Sequence, residues 1–179
     1  MTLQRRDWLK GSLAAATLPS MATNLDAAAA DPQPKNIAIV LTAFKKWLHA
    51  DVIINKILHG WHHDDGAKPA LVIKSLYVDQ FPEKDLARKT AAEHRIPIFK
   101  TIEGALTLGS KRVAVDGVIS IGEHGKYPYN KIGQHLYPRR RFFAGITNTF
   151  EKYGQVVPVF NDKHLGPEWK DALWMYQRA

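Results

Sequence analysis

Residues 115–165 read VDGVISIGEHGKYPYNKIGQHLYPRRRFFAGITNTFEKYGQVVPVFNDKHL, and this stretch decides the fold. Gly117–Ile121 is a short, mostly apolar run of the kind buried inside a parallel sheet. Residues 122–137 form a polar loop carrying Glu123, His124, Lys126, Tyr127 and His135. Pro138 then opens a helix whose Phe142, Phe143, Ile146, Phe150 and Tyr153 recur at three- and four-residue spacing. Gly154 stands where a left-handed helix end wants glycine. Residues 156–160 (VVPVF) read as the next strand, with Asn161, Asp162, Lys163 and His164 at its carboxyl end. Open α/β sheets bind ligands outside the carboxyl ends of their strands. Both polar loops therefore fall on one functional edge.

Working back from this stretch, the same alternation repeats. Residues 36–41 (NIAIVL) start the fold as a buried strand, and a helix over about 49–61 presents Val52, Ile53, Ile57, Leu58 and Trp61. Leu71–Val78 is a second strand ending in Asp79 and Gln80. Pro82 and Glu83 mark a helix start, with the helix running to about His94. Residues 96–99 are a short third strand, and Thr101 caps a short helix through Leu108. After the fifth strand a last helix, 166–178, starts with Pro167 and packs Trp169, Ala172, Leu173 and Tyr176, leaving Trp174 exposed. Strands alternating with helices predict an α/β fold, a doubly wound and mostly parallel sheet of about five strands.

The chain has 179 residues, no cysteine and a formal net charge of +8. Absence of cysteine excludes a disulfide framework and thiol chemistry. Lysines and arginines are scattered apart from Arg139, Arg140 and Arg141, so no nucleic-acid stripe is present. Those three fall in the first turn of a helix, where cations oppose the dipole; an anion or a facing carboxylate would relieve that repulsion. His59, His62, His63, Asp64 and Asp65 lie across a helix end and a turn, and read as a loop rather than a metal site. No metal is expected.

Residues 1–30 read as a separate address. Arg5 and Arg6 precede Trp8, Leu9 and Lys10, and an alanine-rich exit offers a cleavage site after Ala30. This is a twin-arginine signal, which carries folded proteins out of the cytoplasm. Its apolar run is too short to be a good membrane span. Residues 31–179 then form the domain proper.

The order of landmarks resembles the nucleotide-binding half of the glucose–fructose oxidoreductase / inositol dehydrogenase (Gfo/Idh/MocA) family. They are NIAIVL, the acid in LYVDQ, AAEHRIPIFKTIEGAL, VDGVISIGEHG and VVPVFNDKHLGPEWKDALWMYQRA. The resemblance implies NAD or NADP as cofactor and a sugar or polyol as substrate. The implied cofactor contacts are Thr42, Ala43, Phe44, Asp79, Gln80, Gly122, Glu123 and Asp162. Lys163 and His124 take the catalytic places, Lys163 favouring an alkoxide developing during hydride transfer. The chain departs from the family in three places. Residues 41–46 (LTAFKK) stand where it has G-x-G-x-x-G, Asp162-Lys163-His164 replaces Glu-Lys-Pro, and the family's second domain does not follow. The expectation is an exported oxidoreductase-type half that acts only when completed, with an edge prone to self-association. The alternative is a module without a dinucleotide that binds a carbohydrate or a partner protein.

Overall fold

Lys35–Leu41 forms β1, and its alternation divides the interior in two. Ile37, Ile39 and Leu41 enter one apolar cluster, Ala38 and Val40 the other, as the two-residue period of a strand requires. A computed structural model describes residues 33–61 and 66–179. After β1 come α1 (His49–His59), β2 (Leu71–Val78), α2 (Ala87–Glu93), β3 (Ile98–Phe99), α3 (Ile102–Thr107), β4 (Gly117–Ile121), α4 (Arg139–Tyr153), β5 (Val159–Asp162) and α5 (Trp169–Arg178). The leader with Arg5 and Arg6, and the loop residues His62, His63, Asp64 and Asp65, lie outside the described residues. Among those described, no helix is long and apolar enough to cross a membrane.

The five strands pair in parallel throughout, in the order β3-β2-β1-β4-β5. The cluster on one face joins β1 and β2 to α1 and α2, and the cluster on the other joins β1 and β4 to α3 and α4. This is a doubly wound, Rossmann-like α/β sheet, as the alternation predicts. The chain runs outward from β1 to β3 and then returns to β4 on the other side of β1. The switch point therefore falls between the carboxyl ends of β1 and β4, where such folds hold ligands.

Several boundaries and faces differ from expectation for identifiable reasons. β5 begins at Val159 rather than at 156, because Pro158 has no N–H to give; only its carbonyl pairs, accepting from Val118 N. α2 begins at Ala87, not at Pro82. Residues 82–85 make a turn, and the Asp85 carboxylate then accepts from Ala87 N and Arg88 N. α1 buries Ala50, Ile54 and Ile57, leaving Val52 and Trp61 exposed, so its inward face is rotated from the expected one.

The last helix is corrected most. α5 starts at Trp169, and Trp169 and Tyr176 point to solvent while Met175 is buried. Trp174 is half-buried edge-on to Phe143 of α4, with the Arg140 guanidinium over its ring. The reason is that α5 packs on α4 rather than on the sheet. The surface it turns outward is not the one its aromatic spacing suggests. Along the sheet edge, Phe160 of β5 remains exposed.

Candidate functional site at the carboxyl ends of β1, β4 and β5

β4 ends at Ile121, and the next residue must be small. A Cβ on Gly122 would lie 2.7 Å from Arg139 Cγ, so this glycine admits the first residue of α4 against the strand end. Arg139 is buried, and burial lowers its pKa against the pull of Glu123, Tyr137 and Asp162. Its Nη1 donates to His164 Nε2 at 3.1 Å. Arg140 pairs with Asp171 and Arg141 with Asp79, so each cation of the triplet has its own partner.

Glu123 follows Gly122 and faces the ends of β1 and β5. Its Oε2 lies 3.6 Å from Lys163 Nζ and 3.9 Å from His49 Nδ1. His49, the first residue of α1, donates from Nδ1 to Asp162 Oδ2 at 2.8 Å. The His124 ring stands 5.6 Å from the His49 ring, centroid to centroid. Burial lowers the His124 pKa; Glu123 opposes this, while His49, Lys163 and Lys45 reinforce it, so the neutral imidazole is favoured. His124 and Lys163 both have left-handed backbones, with φ of 68° and 87°. For residues with a side chain this is uncommon and strained, and such strain gathers at ligand sites.

Buried polar atoms without a hydrogen-bond partner are costly and few in native proteins. Among the described residues they are Ser120 Oγ, Glu123 Oε2, Arg139 Nε and Asn161 Oδ1. All four belong to β4, β5 or the segment joining β4 to the start of α4, and Ser120 and Asn161 are register partners. A hydroxyl, a carboxylate oxygen, a guanidinium N–H and an amide oxygen are thus left unused near one strand pair. His49, Glu123 and His124 in addition each offer a metal-ligand atom, all within 4.8 Å of one another.

The edge expected to meet a dinucleotide is built differently. Thr42 is buried, and its hydroxyl donates to the carbonyls of Glu123 and Ile121. Phe44 is buried as well, and its carbonyl accepts from Leu86 N. The turn after β1 is therefore filled by side chains where a glycine-rich turn would let a pyrophosphate approach. Asp79 Oδ1 accepts from Tyr77 at 2.7 Å; its Oδ2 accepts from Tyr127 at 2.6 Å and from Arg141 at 2.6 Å. Burial raises the Asp79 pKa, but the hydrogen bonds from Arg141, Tyr127 and Tyr77 outweigh it and the net shift is downward. Gln80 clasps the backbone of Lys126 in both directions, at 2.8 and 2.9 Å. The loop after β4 is thereby fastened across the end of β2.

Beside this clasp the turns after β1, β2 and β4 line a half-open cavity of about 490 Å³. Ala43 and Lys45 line it from the first turn, Gln80, Phe81 and Glu83 from the second, and His124 from the third. Polar groups on an apolar floor at a switch point are the usual make-up of a small-molecule site.

Of the residues predicted from sequence, Glu123, His124, Asp162 and Lys163 come together, with Gly122 supporting them. Thr42, Ala43 and Phe44 lie beneath, and Asp79 and Gln80 belong to the clasp. His49 and Arg139 were missed. Position alone carries the signal for His49, since it opens the helix after the first strand. Arg139 is betrayed only by the glycine after β4. Fold and site together define a Rossmann-like α/β protein with a polar centre at its switch point. No family profile, curated protein or solved structure matches the chain.

Proposed function

We propose that this chain is an exported Rossmann-like protein that binds a small sugar or polyol in the cavity beside His124, without a dinucleotide in the usual position. The observation that carries this reading is that cavity, lined by the turns after all three central strands. Lys45, Gln80, Glu83 and His124 supply donors and acceptors for hydroxyl groups, and Phe81 supplies an apolar wall, stacked from behind by Arg88. The filled turn at Phe44 and the occupied Asp79 carboxylate support the omission of the dinucleotide. Calorimetry of the full chain against a panel of sugars and polyols, beside NADH and NADPH, tests the reading. Saturable binding of a member of the panel that is lost in Gln80→Ala, with no nucleotide binding, is the expected result. Nucleotide binding without sugar or polyol binding overturns it.

A second reading keeps the oxidoreductase expectation. It is favoured by Lys163, placed after the fifth strand and 3.6 Å from Glu123, where its charge would steady an alkoxide. On this reading NAD or NADP is retained from the cytoplasm, and hydride transfer to or from a sugar or polyol needs a further domain. Mass spectrometry of protein purified from periplasm separates the two: a retained dinucleotide supports the second reading and its absence the first.

A further inference from the structure

We infer that His49, Glu123 and His124 form a binding site for one divalent first-row transition-metal ion, Zn²⁺ or a close relative, at the mouth of the cavity. Two imidazoles and one carboxylate are a recurrent donor set for such ions, and three protein ligands leave further positions open to water or ligand. Donor atoms held at about 2.0–2.2 Å around one tetrahedral ion stand about 3.4 Å from each other. The ligand atoms of the three residues lie within 4.8 Å of one another, a separation that small side-chain rotations close.

Three independent features converge on the same point. The Glu123 oxygen facing His49 is buried and has no hydrogen-bond partner. Asp162 accepts from His49 Nδ1 at 2.8 Å, which leaves Nε2 for the ion, the way a carboxylate orients a metal-ligating imidazole. The left-handed backbone at His124 holds its ring toward His49. Because His124 also lines the cavity, the open coordination positions face a bound hydroxyl or carboxyl group. The Lys163 ammonium, 3.6 Å from Glu123, competes with the ion for the same negative charge. It sets the affinity rather than providing a ligand.

The assignment rests on the donor atoms and stands or falls apart from sugar binding. It is tested with the full chain after chelator treatment, by Co²⁺ titration read from visible absorption and by Zn²⁺ calorimetry without sugar. One ion per chain is expected. His49→Ala, His124→Ala and the isosteric Glu123→Gln should each weaken binding at least about tenfold, a loss of the size seen even for indirect ligand partners. Lys163→Met should tighten it, and the His62→Ala/His63→Ala pair should leave it unchanged. Circular dichroism confirms that each variant is folded, and Glu123→Gln carries the test if a histidine variant is not. Absence of stoichiometric Co²⁺ uptake overturns the inference. So does uptake that survives Glu123→Gln or vanishes with His62 and His63. Sugar binding in the presence of chelator reports on the cavity alone, so either proposal can fail without the other.

Discussion

Arg141 Nη2 stands 2.6 Å from Asp79 Oδ2 and ties the first turn of α4 to the carboxyl end of β2. The hydroxyls of Tyr77 and Tyr127 complete the shell around that carboxylate. One carboxylate thus joins the second strand, the loop after the fourth and the fourth helix. Burial and the bond to Asp79 raise the pKa of both tyrosines, and the bond to Asp79 raises that of Arg141. The hydroxyls and the guanidinium therefore remain donors throughout the neutral range.

The pH dependence follows from the sign of the Asp79 shift. Its folded-state pKa lies below the ordinary 3.8, so the stabilisation is complete above that value and is lost as pH falls through the folded pKa. At pH 7, Asp79→Asn should cost about 1 kcal/mol after allowance for solvent screening. Melting curves from pH 2 to 7 should fall more steeply below pH 4 for the parent than for the variant. Parallel curves would remove Asp79 as a source of acid sensitivity.

Gly122→Ala should destabilise by about 1–3 kcal/mol, because its Cβ meets a buried arginine stem 2.7 Å away. Denaturant titration of the single and double variants measures the coupling. In an Arg139→Ala background the same change should cost clearly less. An equal cost in both backgrounds would show that the two residues do not press on each other.

Phe44→Ala should cost about 3–5 kcal/mol, since the ring is wholly buried beneath the turn after β1. A loss under 1 kcal/mol in chemical unfolding would mean that the ring is not part of the core.

Export by the twin-arginine route should depend on Arg5 and Arg6. Replacing both with lysine should leave unprocessed precursor in the cytoplasm. Mature protein in the periplasm of a strain lacking the twin-arginine translocase would contradict the reading of the leader.

Self-association should run through the outer edge of the sheet, where Phe160 on β5 is exposed and strand edges invite pairing. Sedimentation velocity should show concentration-dependent association that Phe160→Lys reduces. A monomer at every concentration tested would end this proposal.

The fold was legible wherever burial leaves an unbroken apolar run. β1 is such a run, β2 and β4 are apolar runs broken only by Lys74, Ser75 and Ser120, and α4 declares itself through phenylalanines at helical spacing. What misled were places where a neighbour rather than a local pattern decides. Pro158 delays β5 because pairing depends on a missing donor. α5 turns Trp169 and Tyr176 outward because its partner is a helix. At the site, Glu123, His124, Asp162 and Lys163 were readable because each stands at or just past the carboxyl end of a strand. His49 was not, since its partner Asp162 lies 113 residues away. Arg139 was hidden in a basic triplet whose members meet three different surroundings, a difference invisible to composition.

Synthesis runs from β1 to α5, yet the sheet cannot be completed in that order. β1 lies between β2 and β4, and the hydrogen bond from Asn36 N to Asp116 closes a separation of 80 residues. A nascent chain that has reached Val115 contains β1 and β2 but not β4, the strand that covers the other edge of β1. Ala38 and Val40 still lack Val118, Phe142 and Ile146. Closing so long a loop is slow and leaves apolar surface uncovered meanwhile. The topology itself therefore holds the growing chain in an association-prone state until its last third has emerged, and any transport in folded form must wait for that moment.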